Sequence, residues 1–84
     1  MTLELILQAI LLTADKPLSL EQLEGFFDAN EAVTKADIRQ ALQRLLEACE
    51  QQSFELTETA SGYRLQTRAL FQPWVQRHHE ERPP

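Results

Sequence analysis

Arg64, Gln66 and Arg68, spaced two apart in "YRLQTR", stack three long polar side chains on one face of an alternating run. Such a row suits contact with phosphate or with an acidic protein, or it can line a solvated sheet edge. In its bland reading the pair is partly neutralised by Glu55 across the strands, an exposed interaction worth about 0–1 kcal/mol. A second polar set, Arg39, Gln40, Gln43, Arg44, Glu47 and Gln51, falls on the outward side of a helix whose Ile38 and Leu45 face inward. Arg and Gln can read base edges. Along that helix, however, Lys35, Arg39 and Arg44 are offset by Asp37, Glu47 and Glu50, and the net charge is zero. A reading helix surrounded by carboxylates is repelled by phosphate at every approach.

Other reactive residues offer little chemistry. His78-His79 are adjacent, so on a helix they point about 100° apart, and no nearby cysteine or third histidine completes a metal set. Cys49 has no base or second cysteine close in sequence and reads as a small core residue. With two glycines in the chain there is no phosphate-cradling loop. No nucleophile, base and orienting group form a set, so neither enzyme activity, a cofactor nor a small-molecule substrate is expected.

The elements that must carry these side chains follow from periodicity. Leu3, Ile6, Leu7, Ile10 and Leu11 repeat every 3.6 residues, predicting a helix over 2–14 that Asp15-Lys16-Pro17 ends. Leu5, Ala9 and Leu12 form a second, smaller apolar stripe about 120° or more around the same helix. A helix with two apolar faces is either sandwiched in its own domain or pressed against a second molecule. Ser19 with Gln22, and Thr34 with Asp37, make capping boxes for a short second helix running out near Asp28 and a third reaching about Gln52. Leu20, Leu23 and Phe26 or Phe27 should face inward from the second, and Ile38, Ala41, Leu42, Leu45 and Cys49 from the third; "NEAVT" between them reads as a loop.

Two alternating runs, "FELTETA" and "YRLQTR", predict strands joined through Ser61-Gly62, the glycine supplying positive φ. A last helix is expected over 73–78, with Pro73 in its first turn and Trp74 plus Val75 packing back on the core. The order helix-helix-helix-strand-strand-helix is mainly α with a small β-hairpin, the winged helix-turn-helix layout. Residues 1–78 form that domain, and 79–84, ending in "EERPP", read as the start of a linker or tail.

Charge narrows the partners. Thirteen acidic residues face eight basic ones, and the excess lies in residues 1–52, with nine acids and four bases. Lone DNA-binding domains usually supply a basic field, because neutralised phosphates release counterions; DNA contact here is expected to be weak or indirect. No apolar run approaches the roughly 20 residues of a membrane span. "LELILQAILL" lacks a basic leader and carries Glu4 and Gln8, which disfavours a signal peptide. One cysteine excludes an internal disulfide and suits a reducing cytoplasm. At 84 residues the chain hides only roughly 60–65% of its unfolded surface, so a covering partner would add appreciable stability.

"ILQAILLTADKPLSLEQLEGFF", with Ala14-Asp15-Lys16-Pro17-Leu18-Ser19 and then Leu23, resembles the opening of the segregation and condensation protein B family. "ASGYRLQTRALFQPWVQR" looks like the same family's wing and its trailing Pro-Trp-Val helix. The resemblance covers nearly the whole chain in order and spacing. It implies the first of two tandem winged-helix domains of a bacterial cytoplasmic, nucleoid-associated, non-enzymatic protein. It also implies a homodimer, and binding to the kleisin subunit that closes the ring of the structural-maintenance-of-chromosomes (SMC) ATPase. On that reading Leu5, Ala9 and Leu12 meet a second copy across a two-fold axis, and Arg39, Gln43, Arg44, Arg64 and Arg68 are candidate contacts for a partner or nucleic acid. A winged-helix DNA-binding transcription regulator is the competing class.

Overall fold

The first helix, α1 (Leu3–Thr13), takes its place through one apolar stripe: Leu7 and Leu11 are buried, with Leu3 and Ile10 half-buried against the core. The computed structural model describes residues 2–80. Pro17 follows α1 at once, and Ser19 then starts α2 (Leu20–Glu24). The Ser19 hydroxyl accepts the Gln22 backbone N–H at 3.1 Å, while the Gln22 side chain accepts the Ser19 N–H at 2.9 Å. The helix stops four residues short of the expected Asp28, because Gly25 caps it. This early stop separates the two phenylalanines: Phe27 packs on the core and Phe26 turns to solvent.

The expected loop "NEAVT" contains a single 3-10 turn, Ala29–Glu31, where the Glu31 carboxylate accepts the Asp28 N–H at 2.7 Å. Ala32 leaves it in the left-handed conformation, φ 53°. Thr34 and Asp37 then cap α3 (Lys35–Ala48) reciprocally, at 3.1 and 3.0 Å, and a 3-10 turn over Cys49–Gln51 extends it to the expected end. The five residues expected on its inner side, Ile38, Ala41, Leu42, Leu45 and Cys49, are all buried. With Leu7, Leu11, Leu23 and Leu56 they form the core, which holds no buried polar or charged residue among those described. Each large aliphatic side chain buried there stabilises the fold by about 1.5–3 kcal/mol.

The hairpin pairs β1 (Phe54–Thr59) with β2 (Gly62–Thr67), antiparallel, with Leu56 opposite Leu65 and Thr59 opposite Gly62. Its turn is therefore centred on Ala60-Ser61, one residue earlier than expected, and the Thr59 hydroxyl accepts the Ser61 N–H at 3.2 Å. Gly62 does have positive φ, 138°, but a second constraint selects it. A β-carbon there would collide with the Leu18 carbonyl and lie 2.6 Å from the Ser19 nitrogen. That close approach is a third, one-bridge strand: Leu18 N–H donates to Tyr63 O at 2.9 Å, and Tyr63 N–H to Leu18 O at 2.8 Å. The segment before α2 is thus stitched to the hairpin, which completes the winged helix.

After β2, a 3-10 turn (Ala69–Phe71) leads into α4 (Gln72–Glu80). Here the expected packing fails. Trp74 is 60% exposed, and neither Val75 nor Phe71 is among the half-buried residues packed on the core. Nine residues from the first three helices, the Cys49 turn and β1 already fill the interior, while α4 packs chiefly against the turn before it. The helix also continues through His79 to Glu80, past the expected boundary at 78; the rest of the expected linker, 81–84, lies outside the described residues.

Candidate interaction surfaces

Two of the three polar residues on the outer hairpin face do not share a role. Arg64 is exposed beside Gln66 on β2. Arg68 is folded inward. Its Nε donates to Gln52 O at 2.9 Å, one terminal nitrogen donates to Cys49 O at 2.7 Å, and the other meets the Glu55 carboxylate at 3.3 Å. Cys49 and Gln52 bracket the final 3-10 turn of the third helix, where a cation is favoured; the Cys49 carbonyl already accepts the Gln52 N–H at 2.9 Å, so Arg68 takes its second lone pair. Arg68 is therefore a brace between the wing and that turn. The cross-strand pairing with Glu55 expected from the sequence is present, but the backbone contacts, 16 and 19 residues distant in the chain, carried no sequence signal.

On α3, Arg39, Gln43 and Arg44 all face solvent, with Gln40 and Glu47 beside them. Arg39 and Gln43 border a cleft of about 210 Å³ between α3 and β1, floored by Leu42, Leu46 and Leu56. Tyr63 also lines it. Burial pushes the Tyr63 phenol up from its ordinary pKa, and the neighbouring Glu58 carboxylate adds to the shift while Arg39 opposes it. The phenol accordingly stays protonated, and the cleft is a mixed apolar and polar groove without a basic floor. Thr57, which also lines it, has a buried hydroxyl with no hydrogen-bond partner.

Cys49 is buried, and burial raises its thiol pKa despite the opposing Arg68 charge; it is an inert core group. The His78 and His79 rings lie 5.4 Å apart and tilted by 54°. Among the described residues no three His, Cys, Asp or Glu side chains gather where a metal could be held. No helix of the described residues is long and apolar enough to cross a membrane.

The apolar surface is more distinctive than the charged one. Leu5 is 58% and Leu12 57% exposed, with Ala9 exposed between them, so the second stripe of α1 is uncovered. A further stripe, Leu70 at 73% and Trp74 at 60%, is uncovered along the last turn and α4. Sequence reasoning missed it because a tryptophan near the end of a small domain is assigned to the core by default.

Comparison with known proteins gives these surfaces a context. The family profile described as "Segregation and condensation complex subunit ScpB" matches residues 5–84. The chain is 35% identical over 80 residues to the segregation and condensation protein B homolog of Coxiella burnetii, covering 95% of this chain and 38% of that protein. It is 37% identical over 81 residues to segregation and condensation protein B of Syntrophotalea carbinolica, covering 96% of this chain and 40% of that protein. The chain thus spans about two-fifths of the length of these relatives. Among solved structures, ScpB from Mycobacterium tuberculosis superposes with TM-score 0.77 at 25% identity, over 96% of this chain and 51% of that one. A dimer of the ScpB N-terminal domain complexed with an ScpA peptide superposes with TM-score 0.74 at 22% identity, over 89% and 91%. With its capped α2–α3 pair, its stitched hairpin and a profile match spanning all but the first four residues, this chain belongs to the segregation and condensation protein B family.

Proposed function

We propose that the chain is the N-terminal winged-helix module of a chromosome segregation and condensation subunit. It pairs with a second copy and binds the kleisin subunit, ScpA in that solved complex, and through it an SMC ATPase. It has no chemistry of its own and works in the cytoplasm on the nucleoid. The observation that supports this most is the uncovered α1 stripe, Leu5, Ala9 and Leu12, on a chain whose α3, taken with the 3-10 turn that extends it, carries three basic and three acidic residues. Large aliphatic side chains left in water on a small fold are suited to protein contact, and covering them returns ~25 cal/mol per Å². The related dimer bound to a peptide supports the same reading.

Light scattering tests it. Leu5→Glu and Leu12→Glu should convert a dimer to a monomer, since a carboxylate would have to be desolvated twice across a two-fold axis. A variant that still elutes as a dimer rules this face out. A second reading, a DNA-binding regulator, draws on the exposed Arg39 and Arg44 of α3. Tight duplex binding at about 0.15 M salt, with a steep log–log salt slope, would favour that reading over ours.

A further inference from the structure

Six large hydrophobic residues are exposed among those described: Leu5, Leu12, Phe26, Leu46, Leu70 and Trp74. Four of them fall into two exposed apolar pairs. Leu5 and Leu12 lie on α1 with Ala9 between; Leu70 lies on the 3-10 turn before α4 and Trp74 in the first turn of α4, with His78 one further turn along. Neither pair covers the other within one copy. The first helix packs on α3 and β2, whereas α4 packs chiefly on the turn preceding it. The molecule is correspondingly long, 50 × 27 × 27 Å.

We propose that α4, with the 3-10 turn that leads into it, is a docking arm whose exposed Leu70 and Trp74 lie antiparallel across the α1 stripe of a second copy, so that a two-fold dimer makes this contact twice. This rests on the dimer reading above and adds the opposite half of its interface. Three features select the occupant. The first is length: at 1.5 Å per residue α1 spans roughly 16 Å and α4 roughly 13 Å, a close match. The second is size. Placing Leu70 beside the partner's Leu12 brings Trp74, the largest exposed side chain, over the partner's Ala9, the one small residue of the stripe. A large group over a small one lets two helices approach and interdigitate. The third is charge. The same antiparallel register carries the last turn of α4, with Arg77, His78 and His79 and no acidic residue before Glu80, to the N-terminal turn of the partner's α1, where Glu4 is the charged residue. Helix dipoles also run opposed in that arrangement, basic C-terminal end against acidic N-terminal end.

Interface area argues the same way. Three side chains of α1 packed on their own symmetry mates make a small patch beside the roughly 1,200–2,000 Å² of a specific, stable interface. A fully covered aromatic side chain buries roughly 150–250 Å²; Trp74, 60% exposed, has more than half of its surface left to bury, once from each copy.

The test uses the whole chain. Sedimentation equilibrium should show that Trp74→Ala weakens self-association at least tenfold while far-UV circular dichroism is unchanged, as befits a residue off the core. Mixing a Leu12→Cys copy with a Leu70→Cys copy under mild oxidation should yield a disulfide-linked heterodimer, with Cys49 silent in the unsubstituted control. An Ala9→Cys copy should not link to itself. If the unsubstituted chain dimerises but Trp74→Ala dimerises equally well, or if Ala9→Cys links while the Leu12/Leu70 mixture does not, the arm is wrong and the dimer reading stands. A chain that is monomeric at every concentration removes the dimer reading and the arm with it.

Discussion

Replacing Arg68 by alanine should destabilise the domain far more than replacing Arg64, although the two follow the same two-residue rhythm in the sequence. The guanidinium of Arg68 donates to two backbone carbonyls, at 2.9 and 2.7 Å, and pairs with Glu55 at 3.3 Å. Hydrogen bonds from a charged donor are worth about 1.5–3 kcal/mol each. The side chain is 29% exposed and Glu55 32%, so the lower end applies and the ion pair itself adds about 0–1 kcal/mol. With those two bonds partly screened by solvent, alanine at 68 should cost about 2–4 kcal/mol. A chain of 84 residues has roughly 4–13 kcal/mol in all. In urea, with a slope of about 1 kcal/mol per molar, the midpoint should fall by roughly 2 M or more at fixed protein concentration. Arg68→Lys keeps the charge but not the planar fork, and should recover less than half of the loss. Arg64→Ala, a substitution of an exposed residue, should stay within about 0.5 kcal/mol of the unsubstituted chain. If Arg68→Ala and Arg64→Ala unfold at the same midpoint, Arg68 is no brace, and its value must lie in contact with a partner.

Gly62→Ala should cost about 2–5 kcal/mol, combining backbone strain at positive φ with loss of the two bonds to Leu18; amide exchange at Leu18 and Tyr63 should accelerate together, and unchanged protection there would refute the steric account. The Thr34 N–H holds the Asp37 carboxyl below its ordinary pKa, so this cap stabilises α3 fully above the unfolded value of about 3.9 and is lost as pH falls through the lower folded value. The difference in melting temperature between the unsubstituted chain and Asp37→Asn should accordingly be constant above pH 5 or so and shrink below about pH 4. Cys49, buried with its pKa raised, should react with a thiol reagent only at the rate of unfolding, and rapid labelling under native conditions would contradict its place in the core.

What the sequence disclosed was local. Ser19 with Gln22 and Thr34 with Asp37 are each three residues apart, and both capping boxes close as their spacing requires. The α1 and α3 stripes are periodic, and their inner residues are buried. The features that escaped depend on chain segments far apart. Leu18 and Tyr63 are 45 positions distant, so nothing in "PLSL" announces a strand bridge, and the glycine that admits it looked like a turn residue. Arg68 sits in the same two-residue rhythm as Arg64, and only the fold distinguishes them. Trp74 was misplaced for a volumetric reason: aliphatic side chains of the helices and hairpin close the interior before the chain reaches α4. The candidate surface on α1 was legible because a helix can hide one broad face in a domain this small, and its second stripe had no internal neighbour to meet.

The wing of this domain is fastened at both ends, at Gly62-Tyr63 to the strand before α2 and at Arg68 to the carbonyls after α3. In a winged helix whose hairpin hangs free, a binding partner must first still it, and that loss of freedom subtracts from affinity. Here the backbone of the hairpin is already tied at both ends in the unbound molecule. A protein chain settling against it meets a preorganised wall, and the entropic toll of recognition falls on the visitor alone.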